Sequence, residues 1–444
     1  MGIGITVEQA ELAAAVRGWI ARSVPPEEIR KLLDAPSGGG RPAHWDGLAE
    51  QGLLGVHLPE ECGGGGGDLV DLAVVIEEAA TAAFPGPFLA SCLASEVLRA
   101  AGAHGLAAAL ADGRRIGAVA LGAGTLTAVA VDGGHILDGT APPVLSGGEA
   151  DLLILAAVSA SGPLWLAVDA ASLRIRTHDS ADPTRPTAEV SARAVRVPAE
   201  RVLAVGPAAV RDLAAVVLAA DACGTAARAL RIAAGHAKVR EQFGRPIGRF
   251  QGVKHLCADM LLRVEQAAAL TWDAARAAGD AGAPEEAREL AVALAAATAL
   301  DAAYSCAKDC VQILGGIGFT WEHDAHLHLR RAVVARQLIG TGDTHRLRAV
   351  RLAESGARRE LRLELPEEAA AHRERAREVI ARARGLDPAA ARAALAPTGY
   401  AAPHLPVPYG LGAGPVQQLA VREELRAAGV RVSDLGIATW VVPS

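Results

Sequence analysis

The chain repeats part of itself. With Gly52 set against Gly399 and no gaps, GLLGVHLPEECGGGGGDLVDLAVVIE pairs with GYAAPHLPVPYGLGAGPVQQLAVREE. Glycine-rich tracts match cheaply, so the weight rests on His57-Leu58-Pro59 against His404-Leu405-Pro406, and on Leu72-Ala73-Val74 against Leu419-Ala420-Val421. Upstream, the amphipathic stretch Pro366–Arg384 stands where Glu8–Ser23 stands in the first copy. A spacing of about 350 residues is far too long for a solenoid. It implies a tandem duplication of one multi-domain unit, with the second copy cut off early.

Within the first copy the texture changes twice. Residues 1–112 read as a helical N-terminal domain, with amphipathic stretches at Glu8–Ser23, Trp45–Leu53 and Leu69–Ala83. Pro59 and the run Gly63–Gly67 interrupt it. Five glycines suit a phosphate cradle, but no Lys-Ser/Thr follows and no clear strand precedes, so a flexible loop is expected. Residues 113–206 carry short β-rich runs (IGAVAL, LTAVAV, DLLILAAV, LWLAV, LRIRTH, ARAVRVP), which predict a small antiparallel β domain. Residues 207–355 predict an antiparallel four-helix bundle from Val210–Glu241, Gly252–Ala277, Glu285–Leu314 and His323–Ala335. A linker follows at 356–365, and 366–444 reads as the start of a second helical N-terminal domain. The fold class is mainly α with a small β domain.

Composition narrows the function classes. Half of the 444 residues are hydrophobic (51%) and only 3% are aromatic, which favours closely packed helices over disorder. A net charge of −6 leaves no basic footprint for nucleic acid. No unbroken apolar run reaches the ~18–20 residues of a membrane span; Leu290–Leu300 stops at Asp301. The N-terminus lacks a basic segment before an apolar one, so a cytoplasmic, reduced protein is expected. Cys306 and Cys310 are spaced for one helix face and core packing. Glu322, His323, Asp324, His326 and His328 cluster in sequence, but His326 and His328 point apart on a helix, so no metal site is expected.

Two C-terminal segments are the most telling: REQFGRPIGRFQGVKHLCADM (Arg240–Met260) and QILGGIGFTWEHDAHLHLRRA (Gln312–Ala332). Together with GLLGVHLPEECGG they resemble the acyl-CoA dehydrogenase family, over Glu8–Ser355, and Pro366–Ser444 looks like the beginning of a second copy. The resemblance implies a helical N-terminal domain, a β-barrel middle domain and a four-helix bundle C-terminal domain, in an oligomer. It implies an FAD-linked oxidoreductase acting on the CH–CH bond of acyl-CoA thioesters, in fatty acid or steroid side-chain oxidation. An electron-transferring flavoprotein is the expected acceptor. The FTWEHDAHLHLRRA version looks like members acting on bulky steroid side-chain thioesters. That chemistry needs a carboxylate of raised pKa in a dry pocket and donors for the thioester carbonyl, while the flavin carries the redox step.

The family shares each FAD between two units, and this sequence treats the two halves differently. The resemblance assigns Arg240, Gln242, Phe243, Gln312, Gly315 and Gly316 to the FAD of a neighbouring unit. A guanidinium forks onto a pyrophosphate, and glycines let backbone N–H groups approach phosphate oxygens. The loop that would hold the chain's own flavin is missing from VALGAGTLTAVAV (Val119–Val131), and Pro143 and Leu145 fall where the family has tryptophan and threonine. The base position before Gly340-Thr341 is Ile339, and the alternative on the first bundle helix is Ala214. Neither accepts a proton. The expectation is a base-less pseudo-subunit completing a partner's FAD site. The alternatives are a self-sufficient dehydrogenase using Asp212 or Asp221 as base, and a scaffold with no flavin role.

Overall fold

The computed structural model describes residues 4–34, 40–280, 282–359, 365–434 and 436. It divides the chain into one compact unit over Gly4–Arg359 and a second built mainly from 360–444. Residues 360–364 of the expected linker lie outside the described residues, as does Ser444.

The first unit opens with six helices, α1 (Val7–Ser23), α2 (Pro26–Asp34), α3 (Trp45–Glu50), α4 (Leu69–Thr81), α5 (Phe88–Ala100) and α6 (His104–Ala111). Thr6 and Asp68 begin α1 and α4 with capping boxes, which satisfy backbone N–H groups that a helix start leaves unpaired. Nine strands follow: β1 (Gly117–Val119), β2 (Thr127–Val131), β3 (Gly134–Thr140), β4 (Val144–Leu145), β5 (Leu152–Ser159), β6 (Gly162–Asp169), β7 (Arg174–Thr177), β8 (Thr187–Pro198) and β9 (Val202–Leu203). Their main path is β4-β8-β3-β2-β5-β6-β9, with β1 on β5 and β7 on β8. The sheet is mixed rather than antiparallel, because β1 and β2 both run parallel to β5. Alternation along a single strand says which face is buried but nothing about the direction of its neighbour.

The third section has five helices where the periodicity predicted four. They are α7 (Pro207–Val239), α8 (Gln251–Gly279), α9 (Glu285–Leu314), α10 (Ala325–Ile339) and α11 (Gly342–Glu354), with a hairpin β10 (Glu241–Gln242) and β11 (Arg245–Pro246) after α7. The fifth, α11, packs on α9. Two helical stretches, Pro207–Val239 and Glu285–Phe319, are long and apolar enough to cross a membrane, which corrects the reading from unbroken apolar runs. Their most apolar windows are 83% and 72% buried inside the unit. Alanine on all sides lets α7, α8 and α9 pack closely. At the α4–α7 crossing, a Cβ on Gly224 would lie 2.0 Å from the Glu77 carbonyl oxygen, so only glycine fits.

Four buried charges tie the three sections together. Arg185, in the β7–β8 loop, donates from Nη1 and Nη2 to the two carboxylate oxygens of Asp221 on α7, at 2.8 and 2.9 Å. Arg331 on α10 donates to Asp182 (3.3 Å), Thr184 Oγ1 (2.7 Å) and the Phe84 carbonyl (2.9 Å). All four charged residues are at most 5% exposed. Two cations meet two anions, so the buried cluster is neutral.

The glycine run is pinned rather than flexible. Gly64, Gly65, Gly66 and Gly67 donate their N–H groups to the carbonyls of Pro59, Gly55, Leu58 and Val56. A Cβ on Gly64 would sit 2.1 Å from the Leu58 carbonyl oxygen. The second unit, with α12 (Ala369–Ile380), α13 (Pro388–Leu395) and α14 (Pro415–Ala427), repeats this loop. Gly410 donates to Pro406, Gly412 to Leu405 and Ala413 to Pro403, so Gly64 corresponds to Gly410 and Gly66 to Gly412. The ungapped pairing therefore holds through His-Leu-Pro and slips by one residue in the glycine loop. Beyond it, Arg17 on α1 grips Glu78 on α4 through Nε and Nη2, and Arg377 on α12 grips Glu424 on α14 through the same two atoms.

Two outcomes follow from this packing. Asp221→Ala strands a buried guanidinium and is expected to cost about 3–5 kcal/mol in urea unfolding. The paired change Arg185→Met with Asp221→Leu is expected to recover most of that loss, and equal losses for both variants contradict the role given to the pair. His57, 4% exposed, is held neutral by burial and by Arg99, its pKa pushed from 6.5 down to about 3. Below pH 6.5 the unfolded imidazole takes up a proton that the folded one refuses until about pH 3, so stability drops as pH falls through that window. His57→Gln is expected to reduce this slope by up to ~1.4 kcal/mol per pH unit, and an unchanged slope between pH 6.5 and 4 removes the claim.

Candidate functional site

The six residues assigned to a neighbour's FAD converge. Arg240, Gln242, Phe243, Gln312, Gly315 and Gly316 all line one cleft of about 530 Å³. Its walls are the C-terminal end of α7, the β10–β11 hairpin, the start of α8 and the end of α9. Arg240 ends α7, and its carbonyl accepts from Ile247 at 2.8 Å, which closes the base of the hairpin. The guanidinium of Arg240 is exposed and has no carboxylate within 4.0 Å among the described residues. It is free to meet an anion.

The hairpin tip places an aromatic ring in solvent. Phe243 and Gly244 both have positive φ, +51° and +73°, the backbone of a type I′ turn. Glycine takes that conformation freely, whereas a phenylalanine there costs roughly 1–2 kcal/mol. Phe243 is 90% exposed and meets Phe250 edge-on, with ring centroids 6.1 Å apart. Arg245 covers the Phe250 ring at 4.3 Å. Across the cleft, Gly315 caps α9 at φ 65°, ψ −137°, and neither it nor Gly316 has an atom within 4 Å of where a Cβ would stand. Their backbone is open to approach. Among these cleft residues, His236 is held neutral by burial and then by Arg240.

The residues expected at the chain's own flavin and base positions are of another kind. A cleft of about 780 Å³ between the β domain and α10 is lined by Leu121, Gly122, Pro142, Pro143, Gln337 and Leu338, among others. Pro143 faces it, while Leu145 is 9% exposed and paired with Thr187 in the ladder, so it offers no hydrogen bond. Ile339 ends α10 with its carbonyl bonded to His345 Nε2 at 2.9 Å, and Ala214 is fully buried in α7. These residues do not fit a flavin ring with a proton-accepting carboxylate beside it. One feature escaped the sequence reading: His178 Nδ1 bonds Thr187 Oγ1 (3.0 Å), which bonds Ser180 Oγ (3.1 Å), and all three line this cleft. The polar run RTHDSAD between β7 and β8 was its only signal.

The two spare aspartates are occupied. Asp212 accepts from Nη1 and Nη2 of Arg348 at 2.7 and 3.1 Å, and Asp221 is held by Arg185. In the histidine cluster, His323 lies before α10 and its Nδ1 accepts from Ala325 N at 3.0 Å, while His326 meets the Trp321 ring edge-on at 4.8 Å. Glu61, Cys62 and His104 also bring potential donor atoms together, within 4.8 Å. Burial first, then Glu61, push the Cys62 pKa up.

Comparison with known proteins agrees with this architecture. The family model "Acyl-CoA dehydrogenase, N-terminal domain" matches residues 6–110, and "Acyl-CoA dehydrogenase, C-terminal domain" matches 212–353. Acyl-CoA dehydrogenase FadE34 of Mycobacterium tuberculosis is 40% identical over 99% of this chain, which spans 61% of that protein's length. Acyl-CoA dehydrogenase IpdE2 of the same organism is 33% identical over 75% of this chain and 93% of its own. Among solved structures, the ChsE4-ChsE5 complex from Mycobacterium tuberculosis matches with a TM-score of 0.74 and 26% identity over 80% of this chain and all (100%) of that one. A Tcur3481-Tcur3483 steroid ACAD variant matches with a TM-score of 0.72 and 29% identity, over 79% of this chain and 98% of that one. In fold, in domain order and in sequence, the chain belongs to the acyl-CoA dehydrogenase family.

Proposed function

We propose that the unit over Gly4–Arg359 is a base-less partner in acyl-CoA dehydrogenation, completing the FAD site of a second, catalytically equipped unit. One contrast carries this reading: the six residues that suit a neighbour's cofactor share one open cleft, while both base positions are hydrocarbon. In that cleft Arg240 would meet the pyrophosphate, Gln242 and Gln312 would supply amide donors and acceptors, Phe243 would lie against the adenine side, and Gly315 and Gly316 would offer backbone N–H groups. FAD, when bound, supplies hydride acceptance. The chain's own contribution is grip and orientation, not proton transfer. The arginine clamps on Asp212 and Asp221 weigh against either serving as a base in a self-sufficient enzyme.

The repeated loop and the repeated Arg–Glu grip support reading 366–434 as the start of a second copy. The FadE34 chain, longer than this one, supports the same reading. The equipped unit would then be that second copy or a separate chain. The substrate class we assign is the CoA thioester of a steroid's side chain, in keeping with the FTWEHDAHLHLRRA motif and the steroid ACAD neighbour, and an electron-transferring flavoprotein would take the electrons.

Purified alone, this chain is expected to be colourless and inactive. Co-expressed with an equipped homologous unit, it is expected to yield a yellow complex. In that complex Arg240→Ala is expected to weaken FAD retention ~10–100-fold, the loss of a charge-assisted contact. Yellow colour and turnover from the isolated chain overturn the proposal, and unchanged FAD retention in the Arg240→Ala complex favours a plain scaffold.

A further inference from the structure

A half-open cavity of about 250 Å³ lies away from both clefts, bordered by α1, α2, α4, α7 and α10. Its volume corresponds to about eight waters at ~30 Å³ each. The apolar wall comes from Ile20, Val24, Ile29 and Leu327. The polar part is unbalanced. Arg17 grips Glu78 at 2.6 Å and Arg30 grips Asp324 at 2.9 Å, so both carboxylates of the cavity are already taken. Arg228 and Arg231 also line it, and among the described residues neither has a carboxylate within 4.0 Å. Arg231, an exposed residue, donates among the described residues to Thr81 Oγ1 (3.0 Å) and, weakly, to the Ala227 carbonyl (3.4 Å).

The neighbouring imidazole does not compete with these guanidiniums for charge. His328, 3% exposed, lines the same cavity, and its Nδ1, sealed inside the protein, has no hydrogen-bond partner among the described residues. An unpaired buried nitrogen costs about 1–3 kcal/mol unless something bonds it. Burial first, then Arg331 and Arg228, push its pKa down to about 3, so at neutral pH the ring offers one N–H donor and no charge. Two guanidiniums without a carboxylate partner suit a negative charge. The hydrocarbon wall suits a short tail.

We propose that this cavity binds a small monocarboxylate with an apolar tail, its carboxylate held by Arg228 and Arg231, and its tail against Ile20, Val24, Ile29 and Leu327. Hexanoate has eight heavy atoms and matches the volume. Nothing in this site touches the cofactor cleft, so the proposal stands apart from the dehydrogenase reading.

Titration of the full chain by calorimetry and saturation-transfer NMR, with hexanoate, hexan-1-ol and hexylamine as probes, tests it without flavin or partner. Hexanoate is expected to bind at least ~10-fold more tightly than the other two, the worth of one charge-assisted contact. Arg228→Gln is expected to remove that preference while hexan-1-ol binding stays as it was. Ala21→Trp, at the exposed rim, is expected to block all three probes, with an unchanged urea transition showing that the variant folds. Equal affinity for the three probes, hexanoate binding indifferent to Arg228→Gln, or a cavity that holds water alone would each overturn the proposal.

Discussion

The first unit depends on four charges taken out of water. Arg185, Asp221, Asp182 and Arg331 come from the β domain and two bundle helices, and Arg331 also reaches the Phe84 carbonyl between α4 and α5 of the helical N-terminal section. Buried pairs of this kind seldom add much net stability, since desolvation takes back most of the Coulomb gain. Their effect is selective. Any arrangement that displaces one section leaves a guanidinium or carboxylate stranded in hydrocarbon, so wrong packings are penalised far more than the right one is rewarded. An alanine-rich interface, with few large side chains to set register, has particular use for such a device.

The same cluster bears on function. Asp221 lies on α7 only seven residues beyond Ala214, one of the two expected base positions. In a chain without a base it is the natural candidate to take over. Its carboxylate accepts two short hydrogen bonds from one guanidinium, which leave it no freedom to reach a substrate. The residue is committed to architecture.

Much of this was legible in the sequence, and the exceptions have physical reasons. Periodicity located the long helices because each buries a face; α11 escaped because Gly342–Glu354 is short and strongly polar. The strand runs gave a β domain, but the parallel partnership of β1 and β2 with β5 depends on chain routing that local alternation does not record. The glycine run looked like a loose connector, yet the carbonyls of Leu58 and Val56 crowd Gly64 and Gly67, and Gly63 and Gly66 turn the chain with positive φ. Composition cannot separate glycine used for freedom from glycine used for close approach. The six cleft residues came from the resemblance of two motifs to a known family, while His178 and the cavity beside Arg228, assembled from distant segments of ordinary composition, carried no motif.

The two-residue tip of the β10–β11 hairpin has one more implication. Phe243 is already in the backbone conformation that thrusts its ring outward, and the turn's own hydrogen bonds and the Phe250–Arg245 stack hold it there. A surface that docks on this ring meets a rigid knob rather than a floppy side chain, so little ordering entropy is lost at contact. The torsional penalty is met once, when the polypeptide folds, and association inherits the benefit each time.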